Sequence, residues 1–350
     1  MYLTDIALNK LKTYRGSSPV PADFDAFWDE GIREMKALDA DVQLIPSPFQ
    51  VPGVQCCDLY FTGVGGARVH AKLARPAAPK GKVPAVLIFH GYTLDSGDWM
   101  EKVSFAACGV VAAALDCRGQ GGLSEDSGRV KGNTLHGHII RGLDEEDPRK
   151  LYYRQVFLDA AQLAQIVMDL PDVDETRVGA YGGSQGGALA MVCAALEPRL
   201  NRTAPMFPFL SDYRFVCGME AIPEPYEELQ EYFRSFDPRH EREDEIFTKL
   251  GYIDIQNLAP RIKAEVRMYT ALLDDKCPPP TQFAAYNKIP EGRKQVFLYP
   301  EFGHETLLGY QDAMLQYMLD MNETDGQLFD VSYFQIMEGG LVGRIHGVAL

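Results

Sequence analysis

The sequence predicts an α/β fold, a mostly parallel central sheet flanked by helices, and three observations carry that prediction. Pro84–His90 and Gly109–Asp116 are continuous apolar runs of the kind buried on both faces of a parallel sheet. Stretches of helical spacing alternate with such runs, and this alternation gives a sheet covered on both sides. A third run, Arg177–Tyr181, passes through Gly182-Gly183-Ser184-Gln185-Gly186 straight into the apolar stretch Ala188–Val192.

In chain order, Pro21 to Leu38 carries Phe24, Phe27, Trp28, Ile32 and Met35 at helical spacing. Asp23, Asp25 and Asp29 come early, where the helix dipole favours acids, so an outer helix is expected. Residues 54–62 and 68–75 flank Gly63-Val64-Gly65-Gly66 and predict an antiparallel hairpin entering the sheet. After the two apolar strands, Val156, Ala160, Leu163, Ile166, Val167 and Leu170 mark one face of a helix at about 150–170. Strands follow near 265–272 and 294–299, then a last helix over roughly 306–321. The acidic, aromatic segment from Asp212 to Asn257, punctuated by Pro223, Pro225 and Pro238, breaks the rhythm and predicts a helical insertion over the active end of the sheet. The expected organisation is one domain over 1–322, with the insertion at about 212–257 and an extension at 323–350.

A chain of 350 residues can bury a large core. Its formal charge of −15 opposes nucleic acid or an anionic membrane as partner but does not hinder a small neutral substrate. The first residues lack a basic start followed by an unbroken apolar segment, so no signal peptide is expected. Seven cysteines at irregular positions fit reduced thiols in the cytoplasm, and the adjacent Cys56-Cys57 pair reads as packing.

The pattern Gly182-x-Ser184-x-Gly186 between strand and helix reads as the nucleophile elbow of an α/β-hydrolase fold. The pattern alone also arises in glycine-rich turns, and its placement is what gives it weight. Serine is a poor nucleophile near neutral pH, so it needs a base and a group that orients the base. In the order serine, acid, histidine, His304 falls directly after the strand 294–298 and His346 lies further on in a glycine-rich tail. Asp274 and Asp275 close the preceding strand, and one of them is expected to face His304. The tetrahedral intermediate needs two N–H donors, expected from the backbones of Gln185 and Tyr92. His136-x-His138 lacks the remaining ligands of a metal set. Arg118-Gly119-Gln120-Gly121-Gly122 lacks the spacing and the lysine of a phosphate loop, so Arg118 reads as structural. Neither metal nor cofactor is expected.

With these residues in hand, the chain resembles the acetyl xylan esterase and cephalosporin-C deacetylase family, the seventh family of carbohydrate esterases. The resemblance runs over about residues 1–322. Its motifs are Asp23-Phe24-Asp25-Ala26-Phe27-Trp28, Arg118-Gly119-Gln120, Gly137-His138-Ile139-Ile140-Arg141-Gly142, Tyr152-Tyr153-Arg154, the elbow, Asp274 with Cys277-Pro278-Pro279, Phe283–Asn287 and His304-Glu305. It implies a triad of Ser184, Asp274 and His304, oxyanion donors at Tyr92 and Gln185 with Tyr92 also meeting substrate, and no cofactor. It further implies deacetylation of short xylooligosaccharides and cephalosporin C inside the cell by a hexamer with inward-facing sites. Ala271 and Pro280 depart from the usual glycine and serine of the family. The rival readings are a broad carboxylesterase or peptidase of the same fold and a non-catalytic binding protein, which would be expected to lack a triad member.

Overall fold

The computed structural model describes residues 8–131 and 137–322; the extension 323–350 with His346, and His136, lie outside the described residues. Among them, nine strands form one sheet: β1 (Gln43–Pro46), β2 (Val54–Thr62), β3 (Arg68–Pro76), β4 (Val83–Phe89), β5 (Val111–Leu115), β6 (Val173–Gly183), β7 (Arg202–Met206), β8 (Glu265–Ala271) and β9 (Lys294–Tyr299). The helices are α1 (Leu8–Thr13), α2 (Phe24–Ala37), α3 (Trp99–Ala107), α4 (Tyr152–Met168), α5 (Gln185–Leu196), α6 (Tyr213–Cys217), α7 (Glu227–Phe236), α8 (Glu243–Leu250), α9 (Ile255–Leu258), α10 (Pro279–Tyr286) and α11 (Tyr310–Leu319).

The spatial order is β1-β2-β3-β5-β4-β6-β7-β8-β9. β1 to β3 pair antiparallel and β3 joins β5 antiparallel, whereas β5, β4, β6, β7, β8 and β9 run parallel. The chain passes from β4 to β5 on one side and then to β6 on the other. Strand order therefore reverses at β4, and crevices at such a switch point are where α/β sheets bind ligands.

Alternation along β4 splits the core. Ala85, Leu87 and Phe89 join the cluster formed with α2, α4, α5 and the helices after Asp212, while Val86 and Ile88 join α3 and α11 on the other face. α5 is buried along its whole length, as suits a helix hydrophobic all round. The expected outer helix is α2, whose Trp28 is fully buried with its ring stacked on Phe157 of α4. Residues 213–258 fold as the four helices α6 to α9. Their entry is fastened by Asp212, which accepts hydrogen bonds from Tyr14, Ser17 and Ser18 and donates its own N–H to Asp254 at 2.9 Å. Two details differ from the sequence reading. β6 begins at Val173, four residues before the apolar run, and α11 begins at Tyr310, because 304–309 stay in a loop.

Arg118 is 1% exposed and lies across Asp159, donating from Nε at 2.7 Å and from Nη2 at 2.5 Å, with Nη1 on the Val64 carbonyl at 3.0 Å. This bidentate pair ties the turn after β5 to α4 and to the β2–β3 hairpin. Asp159→Ala would leave a buried guanidinium without its counter-charge, a change that costs about 3–5 kcal/mol. Denaturant unfolding should show the midpoint falling accordingly; unchanged stability would mean that the pair holds nothing in place.

Candidate active site

The turn after β6 sets the geometry. Ser184 has φ 57° and ψ −119°, a conformation disfavoured for a residue with a β-carbon. Close packing holds it there: a β-carbon on Gly186 would lie 1.9 Å from the Phe89 carbonyl oxygen, and one on Gly182 would lie 2.4 Å from the same atom. The Ser184 N–H donates to the Met206 carbonyl at 3.0 Å, and its carbonyl accepts from Phe209 N–H at 3.1 Å. The serine is thereby pinned between β4 and β7, with its side chain half-buried at the C-terminal end of the sheet.

Two loops bring the partner groups. After β8, Asp274 is fully buried, and its Oδ1 accepts from the N–H groups of Lys276 and Cys277 at 2.9 and 2.8 Å. Gln282 of α10 reaches Oδ2 at 3.4 Å. After β9, His304 places Nδ1 3.0 Å from Asp274 Oδ2 and 3.1 Å from Oδ1. Asp275 is exposed, so the buried neighbour Asp274 is the one that meets His304. The Phe207 ring lies 4.4 Å from the His304 ring and fixes its other side. Ser184 Oγ has Cys277 Sγ at 3.9 Å, and among the described residues no hydrogen bond joins it to His304.

Cys277 was not given a role by sequence reasoning, which used it only within the Cys277-Pro278-Pro279 motif. It is fully buried, and burial raises its thiol well above the usual range. Ligand atoms of Asp274, Cys277 and His304 all lie within 4.8 Å of one another, the dimension of a metal triad. The donor set fits a metal poorly: the thiol is held protonated, and His304 Nδ1 already faces the carboxylate.

On the opposite flank, His90 follows β4 with its Nδ1 2.7 Å from the Gly91 carbonyl and its Nε2 accepting from Cys117 N–H at 3.0 Å. Burial lowers its pKa, so the neutral ring locks the turn that leads to Tyr92. The Gln185 side chain is fully buried and forms a reciprocal amide pair with Gln120, at 2.8 and 3.0 Å. Gln120 Oε1 also accepts from Thr93 N–H at 2.9 Å, so one side chain spans the turn after β4 and the start of α5. The backbone N–H groups of Tyr92 and Gln185 have no partner among the described residues. Arg118-Gly119-Gln120 thus contributes a brace through Gln120 as well as the buried Arg118 pair. Of the two departures, Ala271 ends β8 fully buried beside Tyr299, and Pro280 is buried in the first turn of α10.

A mostly parallel sheet, a strained serine at the strand-to-helix turn after β6, and a carboxylate–imidazole pair beyond the ends of β8 and β9 define an α/β-hydrolase. The profile of the acetyl xylan esterase (AXE1) family matches residues 1–321, and the chain belongs to that family. Acetyl xylan esterase 1 from Thermoanaerobacterium sp. JW/SL YS485 is 52% identical with a TM-score of 0.88, over 90% of this chain and 99% of that one. The acetyl xylan esterase from Paenibacillus sp. R4 is 34% identical with a TM-score of 0.84, over 89% of this chain and 98% of that one. Acetyl esterase Axe7A of Xylanibacter ruminicola is 27% identical over 276 residues, which are 77% of this chain and 60% of that protein. The chain therefore spans under two thirds of that curated relative's length.

Gly186→Ala puts a methyl group where the Phe89 carbonyl stands, so the serine turn must shift or the protein must unfold. A loss of about 3 kcal/mol in stability, the upper end for overpacking, or of nearly all ester hydrolysis in a folded variant, is expected. Thermal melting and ester hydrolysis measured side by side check it; a variant normal in both would show that the close approach is not needed.

Proposed function

We propose that the protein is a serine esterase that removes acetyl groups from small acetylated sugars, xylooligosaccharides above all, through a covalent acetyl-serine. The observation that carries this reading is the Asp274–His304 pair, 3.0 Å apart on loops that flank the Ser184 turn. Membership of the acetyl xylan esterase family supplies the acetyl group and the sugar.

In the proposed mechanism His304, through Nε2, takes the proton of Ser184 as the serine oxygen attacks the acetyl carbonyl. Asp274 holds the imidazole in the tautomer that keeps a proton on Nδ1, and it stabilises the imidazolium that forms. The unpartnered N–H groups of Gln185 and Tyr92 receive the oxyanion. His304 then returns its proton to the departing sugar oxygen, and water repeats the sequence to release acetate. Every donor in this scheme is backbone or side chain, so it uses no metal.

Cephalosporin C is proposed as a further substrate, since attack at the acetyl carbonyl asks little of the alcohol beyond access. Seven free cysteines support a reducing, cytoplasmic setting. Leu94, Met100, Leu123 and Leu308 are 60%, 80%, 60% and 82% exposed, and such exposed apolar side chains support an oligomer, a hexamer by family resemblance. No helix among the described residues is long and apolar enough to cross a membrane.

Ser184→Ala should lower kcat by about 10⁶-fold while the melting temperature holds, as when a triad serine is lost elsewhere. Asp274→Asn should cost about 10⁴-fold, and Asp275→Asn little, because only the buried carboxylate faces the imidazole. Acetate release by the three variants is the measurement; full activity of Ser184→Ala, or the reverse ranking of the two aspartates, would overturn the mechanism.

Cys277 Sγ lies 3.9 Å from Ser184 Oγ and the Phe207 ring rests 4.4 Å from that of His304, and these buried neighbours support an acyl slot sized for acetyl. Each extra methylene in such a slot is worth about 1–3 kcal/mol. Specificity constants for acetyl, butyryl and octanoyl esters of one alcohol should fall steeply along the series, and acetylated oligomers should outrun polymeric xylan. Preference for octanoyl would place the protein among broad carboxylesterases, and amide cleavage among peptidases.

A further inference from the structure

Glu228, near the start of α7, is a carboxylate only 2% exposed, and its partners are loops that surround the serine. Its Oε1 accepts from the Tyr92 hydroxyl at 2.9 Å and from the His138 N–H at 3.1 Å, and its Oε2 accepts from the Ile140 N–H at 3.1 Å. The Tyr92 hydroxyl in turn accepts from the His138 N–H at 2.8 Å. Both capacities of the phenol are therefore taken: its proton goes to Glu228 and a lone pair goes to His138. The ring is packed as well, with His138 at 5.5 Å and Phe209 at 5.5 Å between centroids.

Gly137 is an independent sign that the carboxylate has a built seat. It has φ +72°, and a β-carbon there would lie 2.1 Å from the carboxyl carbon of Glu228. Among the described residues no lysine or arginine pairs with Glu228, and burial raises its carboxyl to about 7. A buried acid held by hydrogen bonds and by no cation among the described residues is a poor way to join two layers, since apolar residues would serve as well without the desolvation. Its arrangement makes sense for what it orients.

We infer that Glu228 is a positioning residue for the ester hydrolysis: it fastens the Tyr92 side chain to the insertion and to the turn at 138–140, and so holds the Tyr92 backbone N–H in register with that of Gln185. It touches neither the serine nor the reacting carbonyl. A bond to the phenol oxygen restrains the ring, the ring restrains its own Cα, and the Cα carries the N–H that meets the oxyanion. The helices after Asp212 thereby contribute to the chemistry through one carboxylate, besides covering the site. This rests on the esterase reading given above.

The test is the steady-state kcat and KM for 4-nitrophenyl acetate of the full chain and of Glu228→Ala, Glu228→Gln and Tyr92→Phe, with melting temperatures in parallel. Displacing a group at the reacting centre by about 1 Å costs up to about 10²-fold, so Glu228→Ala should lose about 10- to 100-fold in kcat with KM within about threefold. Gln keeps an oxygen for Tyr92 and His138 and loses only the acceptor for Ile140, so Glu228→Gln should return kcat to within about threefold of wild type. Should the alanine variant fail to fold, Tyr92→Phe asks the same question by deleting the phenol bond and should lower kcat about 3- to 10-fold. Wild-type kcat in Glu228→Ala or Tyr92→Phe, a loss confined to KM, or a glutamine variant as impaired as alanine would each overturn the inference. An inactive wild-type chain is a separate result and would overturn the esterase reading itself.

Discussion

The structure depends on how closely the first turn of α5 approaches the end of β4. Gly182 and Gly186 face the Phe89 carbonyl at distances that exclude any β-carbon, and this contact forces Ser184 into a backbone conformation that it would not adopt alone. From that single approach the rest follows in order. α5 starts at Gln185, directly after the serine, and β4 ends at Phe89, from which the chain turns through His90 and Gly91 to Tyr92. The strain at the serine, of order 1–3 kcal/mol, is held by bonds to Met206 and Phe209 on its far side.

Around that turn, side chains join loops that the sheet alone would leave independent. Gln120 links the turns after β4 and β5 to Gln185, Asp274 gathers N–H groups from its own loop, and Glu228 ties the Tyr92 loop to the insertion. Asp274 and Glu228 are buried and Gln120 is half-buried, and each is hydrogen-bonded to its surroundings, the condition under which a polar group in a dry site rigidifies what surrounds it. Asp212 fastens the entry of the insertion to residues 14–18 in the same manner, with five hydrogen bonds to one carboxylate.

What the sequence made legible was whatever a short local pattern dictates. The serine turn, the buried strands β4 and β5, the hairpin of β2 and β3, and the amphipathic α2 and α4 announce themselves through glycine placement and periodicity. β7 went unrecognised because Arg202-Thr203-Ala204-Pro205-Met206 carries a proline and no apolar run, yet it pairs on both sides, with Pro205 opposite Gly182 near the strand's end. β1 is exposed at all four residues and has no alternation to find. Spacing alone left Asp274 and Asp275 open, because the choice lies in burial: one carboxylate faces inward and collects two N–H groups, whereas its neighbour faces water. Glu228 was invisible for the opposite reason, since nothing in an acidic helix start marks one glutamate as buried until the turn at Gly137 is folded against it.

The three residues assigned to the reaction are held with unequal firmness, and the inequality suits what each would do. Ser184 is fixed through its backbone on three sides, and Asp274 through N–H donors within its own turn. His304 is different: its side chain remains 22% exposed, on a loop beyond β9, and rests on one carboxylate and one aromatic ring. A nucleophile gains from a fixed position, because the attacking distance enters the barrier directly. A base that takes a proton from serine and then delivers it to a departing oxygen must serve two acceptors in slightly different places. A ring anchored at Nδ1 alone can pivot about that bond while Asp274 keeps its tautomer. Of the three residues proposed for the reaction, the one that would carry the proton is therefore the one with the fewest restraints among the described contacts.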